Sequence, residues 1–170
     1  MIKKFGLCIF FNLYYMDSLK LWKQEFAQLL QLPNITIENG PINIIIYVNK
    51  NNQIHRNQLI GAAHIKYYEN GNISGKEYYT NNKLHRLDGP AIIDYYENGN
   101  VRFIEYYKNE KKHRLDGPAY IEYYENGGIR YKRYYVNNER HRLDGPANIG
   151  YYENGDVFFE EYYENDKHIG

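Results

Sequence analysis

Residues 85–119 read HRLDGPAIIDYYENGNVRFIEYYKNEKKHRLDGPA, and the phrase that opens the stretch at His85 closes it at His113 and returns at His141. The spacing is 28 residues (113 − 85 and 141 − 113), the signature of an array in which each unit packs chiefly on its neighbours. Between two phrases lie two runs rich in Tyr, Ile, Val and Phe on either side of Asn98-Gly99, a dipeptide that favours a tight hairpin turn. YYENG recurs from Tyr67, Tyr95, Tyr123 and Tyr151, and a second tyrosine pair from Tyr78, Tyr106, Tyr134 and Tyr162. A worn copy precedes them, with ENG at Glu38, YVN at Tyr47 and HR at His55.

The predicted fold is therefore mostly β: an elongated antiparallel array of hairpins over residues 35–170. It comprises a partial repeat at 35–56 and repeats at 57–84, 85–112, 113–140 and 141–170. In the first strand of each unit, alternate positions are the same in all four copies: Ala63, Ile65, Tyr67; Ala91, Ile93, Tyr95; Ala119, Ile121, Tyr123; Ala147, Ile149, Tyr151. The residues between them, such as His64, Ile92, Tyr120 and Asn148, vary. Side chains alternate faces along a strand, so the constant set is expected to face the core and the varying set solvent. In the second strand, Ile73, Val101, Ile129 and Val157 continue the apolar row. Glu77, Glu105, Arg133 and Glu161 fall on the same nominal face, which requires a bulge or the sheet margin somewhere between.

The repeated phrase is read as a shaped connector. Two strands per unit at about 4.8 Å each set equivalent residues roughly 9.6 Å apart, too far for His85, His113 and His141 to share a metal ion. His85, Arg86, Asp88, His113, Arg114, Asp116, His141, Arg142 and Asp144 are thus structural connector residues. Leu87, Leu115 and Leu143 are expected to anchor the connector in the core. Gly89, Gly117 and Gly145 are expected to supply unusual backbone angles, and Pro90, Pro118 and Pro146 to start the next strand. The aspartates either accept backbone N–H groups or pair with the neighbouring arginines. The competing reading is a groove that binds an extended anionic or peptide ligand.

These residues carry a family resemblance. The unit from YYENGNVRFIEYYKNEKKHRLDGPA onward resembles the MORN repeat in its variant form, over 57–170 well and 35–56 weakly, with a longer connector than the standard repeat. The 28-residue HRLDGPA/YYENG array is similar to those of giant DNA viruses and some phages. The resemblance implies a MORN-like solenoid or meander acting as a scaffold, dimerisation element or binding surface, with no catalytic residues to carry over. Some bacterial relatives imply an antitoxin-like, partner-blocking role.

Composition narrows the partners. Lys plus Arg (21) equals Asp plus Glu (21), which withholds the net positive charge on which nucleic-acid and anionic-membrane binders rely. The single Cys8 points to a reducing setting, hence a cytoplasmic location, host cytoplasm or virion if viral. The opening run MIKKFGLCIFFNLYYM is too short to span a bilayer and lacks a small-x-small cleavage site; Met16 is an alternative start. Residues 1–34 read as an N-terminal extension and capping helix. Asp17 or Ser18 caps a helix over about 17–31, and Leu19, Trp22, Phe26, Leu29 and Leu30 form its apolar stripe.

No clustered nucleophile, acid and base is recognisable: Ser18 and Ser74 are the only serines, and the carboxylates of FEEYYEN lie on a predicted edge strand. We expect no catalytic residue, no metal site and no cofactor. Glu160, Glu161 and Glu164 on that edge discourage addition of another chain. What remains is tyrosine, 21 of 170 residues. Strict alternation sets two rows, Tyr68, Tyr96, Tyr124, Tyr152 and Tyr78, Tyr106, Tyr134, Tyr162, on a face suited to a protein partner or a second copy. The simpler reading of the same rows is cross-strand pairing that stiffens the sheet. The sequence thus favours a non-enzymatic interaction scaffold, with a small-ligand or nucleotide-binding sponge built on the His/Arg/Asp connectors as the alternative.

Overall fold

The computed structural model describes residues 35–36, 44–49, 51–57 and 61–170. The helix expected over 17–31 and its capping role lie outside them. All described residues belong to one unit, Pro33–Gly170.

Ten strands form one antiparallel sheet whose spatial order follows the chain: Ile35–Thr36, Ile44–Tyr47, His64–Tyr67, Ile73–Glu77, Ile92–Tyr95, Val101–Glu105, Tyr120–Tyr123, Ile129–Arg133, Asn148–Tyr151 and Val157–Glu161. Each full repeat contributes one long hairpin to this open meander. At the hairpin tip, Gly99 takes φ +89°, which its lack of a Cβ allows, and its N–H donates to Tyr96 O at 2.9 Å. Asn98 Oδ1 accepts the Asn100 N–H at 2.8 Å, so the Asn-Gly pair closes its own turn.

Between consecutive long hairpins the chain makes a second, shorter hairpin that precedes each connector. These are Tyr79–Thr80 with Lys83–Leu84, Tyr107–Lys108 with Lys111–Lys112, Tyr135–Val136 with Glu139–Arg140, and Tyr163–Glu164 with Lys167–His168. Their two-residue turns, Asn81-Asn82, Asn109-Glu110, Asn137-Asn138 and Asn165-Asp166, all have positive φ. That is the left-handed geometry of a two-residue turn with primed twist, here begun by Asn in every copy.

The bulge lies in the second long strand. Tyr95 pairs with Val101 but Asp94 pairs with Phe103, so Arg102 is the extra residue. Ser74, Arg130 and Phe158 hold the same place. One extra residue reverses the faces beyond it. Val101 therefore shares a face with Tyr95, whereas Phe103 and Glu105 share the opposite face with Asp94 and Ile92. The single apolar row expected along the second strand is corrected to two half-rows on opposite faces.

Burial corrects three further expectations. Ala63, Ala91, Ala119 and Ala147 are at 0 % exposure, yet no large side chain among the described residues is fully buried. The constant Ile and Tyr positions and the varying positions are both mostly half-buried, and Asn148, in the varying set, is buried. The varying set is not a solvent face, because the opposing row Glu77, Glu105, Arg133 and Glu161 and the tyrosines of the short hairpins share it. Leu87, Leu115 and Leu143 are not buried in a core: they are 74, 79 and 76 % exposed.

Candidate functional site: the connector ridge

Both margins of the array are built from bonds that join one repeat to the next. At the long-hairpin tips, the hydroxyls of Tyr68, Tyr96 and Tyr124 donate to the backbone oxygens of Tyr95, Tyr123 and Tyr151 at 2.5, 2.8 and 2.8 Å. Asn72 and Asn100 side chains donate to Glu97 O and Glu125 O at 3.0 and 2.9 Å. Gly128 stands at the equivalent place in the next copy and has no amide to offer. The first tyrosine row is thus half-buried up to Tyr124 and openly exposed only at Tyr152, 57 %.

The short hairpins face a row of charge and aromatic rings. Glu77 accepts from Tyr79 Oη at 3.0 Å and lies 2.9 Å from His64 Nδ1 and within ion-pair distance of Lys66. Burial pushes the Glu77 carboxyl up, but the hydrogen bonds and charges of His64 and Lys66 outweigh it and hold it at about 2. Burial and the Glu77 carboxylate together push the Tyr79 phenol up to about 12. One repeat later, Lys112 Nζ lies 3.1 Å from Glu105 Oε1 and 5.1–5.9 Å from the ring centres of Tyr107, Tyr120 and Tyr135. Burial first, then Glu105 and Glu122, raise the phenols of Tyr107 and Tyr120.

The HRLDGPA connectors run along the other margin, where their histidines and arginines bind the next unit and their aspartates hold the arginines. His85, His113 and His141 accept, at Nδ1, the backbone N–H of Asn109, Asn137 and Asn165 in the next short turn, at 3.1, 3.3 and 3.3 Å. Each ring serves a separate joint, and no group of three metal-ligating side chains gathers among the described residues. The N–H groups of Arg86, Arg114 and Arg142 donate to the backbone oxygens of Tyr107, Tyr135 and Tyr163 in the following unit.

The guanidinium of Arg114 is held three ways. Its Nε donates to Asp116 Oδ1 at 2.9 Å and its Nη1 to Pro118 O at 3.4 Å, while Cζ stands 4.0 Å from the centre of the Tyr106 ring. Arg86 repeats this with Asp88, Pro90 and Tyr78, and Arg142 with Asp144, Pro146 and Tyr134. The arginine bonds hold the carboxyls of Asp88, Asp116 and Asp144 below the usual carboxylate range. This clamp also explains the glycine. A Cβ on Gly89 or Gly117 would sit 3.1 Å from the arginine Cζ, and neither residue has positive φ. The expectation of unusual backbone angles there is corrected to one of close approach. The second tyrosine row is covered in the same way: Tyr78 is buried, Tyr106 and Tyr134 half-buried under guanidinium groups, and only Tyr162 is exposed, at 38 %.

The connector loop turns its leucine outward because the arginine takes the inner place. The arginine side chains are 17–23 % exposed, whereas the aspartates of the same clamps are 54, 84 and 84 % exposed. Leucine and carboxylate therefore alternate along an exposed ridge. Between two successive connectors lies an open notch of about 450 Å³, walled by Leu87 and Leu115 and lined by Tyr106 and Tyr107. The leucine itself reads the same whether exposed or buried; the one signal in the sequence is the arginine immediately before it, whose long side chain can cover an aromatic ring.

No helix among the described residues is long and apolar enough to cross a membrane. No curated protein and no solved structure matches the chain. Residues 63–81, 92–109 and 119–137 each match the MORN repeat variant family, whose repeats are generally interaction modules. Each match starts at or next to the first long strand and ends within the short turn, so three successive units of the sheet, between residues 63 and 137, are MORN-variant repeats.

Proposed function

We propose that this chain is a non-enzymatic scaffold that binds a protein partner, and that the leucine-bearing connector ridge is its main contact surface. One observation carries the reading: Leu87, Leu115 and Leu143 are about three-quarters exposed, whereas most other large side chains among the described residues are half-buried. Aligned exposed apolar side chains rimmed by polar groups are characteristic of interaction sites. The tyrosine rows are mostly occupied with joining repeats. They contribute to binding only in the last unit, where Tyr152, Phe158 and Tyr162 are exposed and the Tyr152 and Phe158 rings lie tilted against each other with centres 5.0 Å apart; this forms a second, smaller surface. The sponge reading is less favoured, because the arginines that would take an anion are already bonded to an aspartate, a carbonyl and a ring. The lone Cys8 suits the reducing cytoplasm as the setting.

The test is capture of partners from cell lysate by the wild-type chain and by two variants. Leu87→Ser with Leu115→Ser and Leu143→Ser should keep the thermal midpoint and lose the captured proteins. Unchanged capture by that variant, with loss in Tyr152→Ser plus Phe158→Ser, would move the site to the end unit.

A further inference from the structure

The ridge has a fixed period, and the period selects the shape of what it can hold. Equivalent leucines are two strands apart, about 9.6 Å. A polyproline II segment advances about 3.1 Å per residue with three residues per turn, so every third side chain returns to the same side after about 9.3 Å. A β-strand returns to one side after about 6.7 Å and slips out of step at once. A helix comes back after seven residues and about 10.5 Å, gains about 1 Å of error at each repeat, and sets its middle turn against the leucine crest.

Charge narrows the occupant further. The exposed charge that recurs on the ridge is the carboxylate of Asp88, Asp116 and Asp144, since the partner arginines are folded back onto tyrosine rings. Lys108 also lines the notch, but its counterparts are Thr80, Val136 and Glu164, so that cation does not recur. An anionic lipid surface meets a row of carboxylates and is repelled, whereas a cationic segment is attracted. Aromatic-floored notches between apolar walls are a known way to grip an extended chain that has no internal hydrogen bonds to lose. We propose that the connector ridge binds an extended cationic polypeptide in the polyproline II conformation, lying across the strands, with every third side chain apolar and seated in a notch. This rests on the ridge being the contact surface.

The experiment uses the full chain and three synthetic nine-residue peptides, each about 28 Å long when extended, titrated by calorimetry at low salt. One repeats Leu-Pro-Lys, one has the same composition with the leucines out of period, and one repeats Leu-Pro-Glu. The periodic lysine peptide should bind at least tenfold more tightly than either control and weaken severalfold in high salt. Leu115→Ser should weaken it at least fivefold with the thermal midpoint unchanged. Equal binding of the shuffled peptide, preference for the glutamate peptide, indifference to Leu115→Ser, or no heat up to millimolar peptide would overturn the proposal. If lysate capture is lost in the triple leucine variant while no peptide binds, this inference fails and the ridge reading stands. If capture survives in that variant, the ridge reading itself fails.

Discussion

Replacing Gly117 by Ala should be harmful in the wild-type chain and harmless, or mildly stabilising, once Arg114 has been removed. The new Cβ would stand 3.1 Å from Arg114 Cζ and 3.3 Å from Nε, closer than ordinary contact, and the guanidinium cannot swing away without leaving Asp116, Pro118 O or the Tyr106 ring. Crowding of this kind costs about 1–2 kcal/mol. Arg114→Ala alone gives up the ring contact and the charged bond to a carbonyl, about 2–4 kcal/mol together; the ion pair adds little, because Asp116 is exposed. In that background the alanine meets no guanidinium. Since Gly117 is not held at positive φ, Gly117→Ala then stiffens the unfolded chain and contributes about 0.4–1 kcal/mol of stability. The double-mutant cycle should therefore show a coupling of about 1.5–3 kcal/mol, with a change of sign in the glycine step. Urea unfolding followed by circular dichroism, with unchanged slopes as the condition for comparison, measures it. An equal penalty for Gly117→Ala in both backgrounds would refute the clamp as the reason for the glycine and return the argument to backbone geometry.

Three further outcomes follow from the same contacts. Glu77 has its folded-state carboxyl lowered from 4.5 to about 2, so its contribution is intact above pH 4.5 and is lost as pH falls from 4.5 towards 2. At about 1.36 kcal/mol per unit this is worth up to about 3 kcal/mol, and Glu77→Gln should flatten the acid limb of a plot of melting temperature against pH. Ala119, at 0 % exposure and with its C=O accepting the Tyr106 N–H at 2.8 Å, has no room for a larger side chain; Ala119→Leu should lower stability by about 1–3 kcal/mol in chemical denaturation. Tyr96→Phe keeps the ring and deletes the bond to Tyr123 O, and should cost about 1 kcal/mol, visible as faster amide exchange where that hairpin meets its neighbour.

The period of 28 residues, the Asn98-Gly99 turn and the meander order were legible because they depend on local chemistry repeated without change. The short hairpins were harder to see, since their turns use Asn109-Glu110 and Asn137-Asn138 without glycine and their strands are two residues long. Their trace in the sequence is the asparagine that begins all four turns, the side chain best suited to the left-handed region after glycine. The bulge was required by the pattern but placed only by register, because Arg102 and Ser74 resemble ordinary strand residues. The leucines misled for a physical reason. A residue that recurs in every copy reads as buried, but in a sheet only one layer of side chains deep on each face, arginine stacked on tyrosine takes the place a leucine would fill.

The joints described along both margins have the same donors, acceptors and offsets from one repeat to the next, apart from the amide missing at Gly128. Length is consequently a free variable of this architecture. Duplicating one unit would add about 9.6 Å of sheet and one more seat on the leucine crest without asking for any new kind of junction, so reach and valency can change by copying alone.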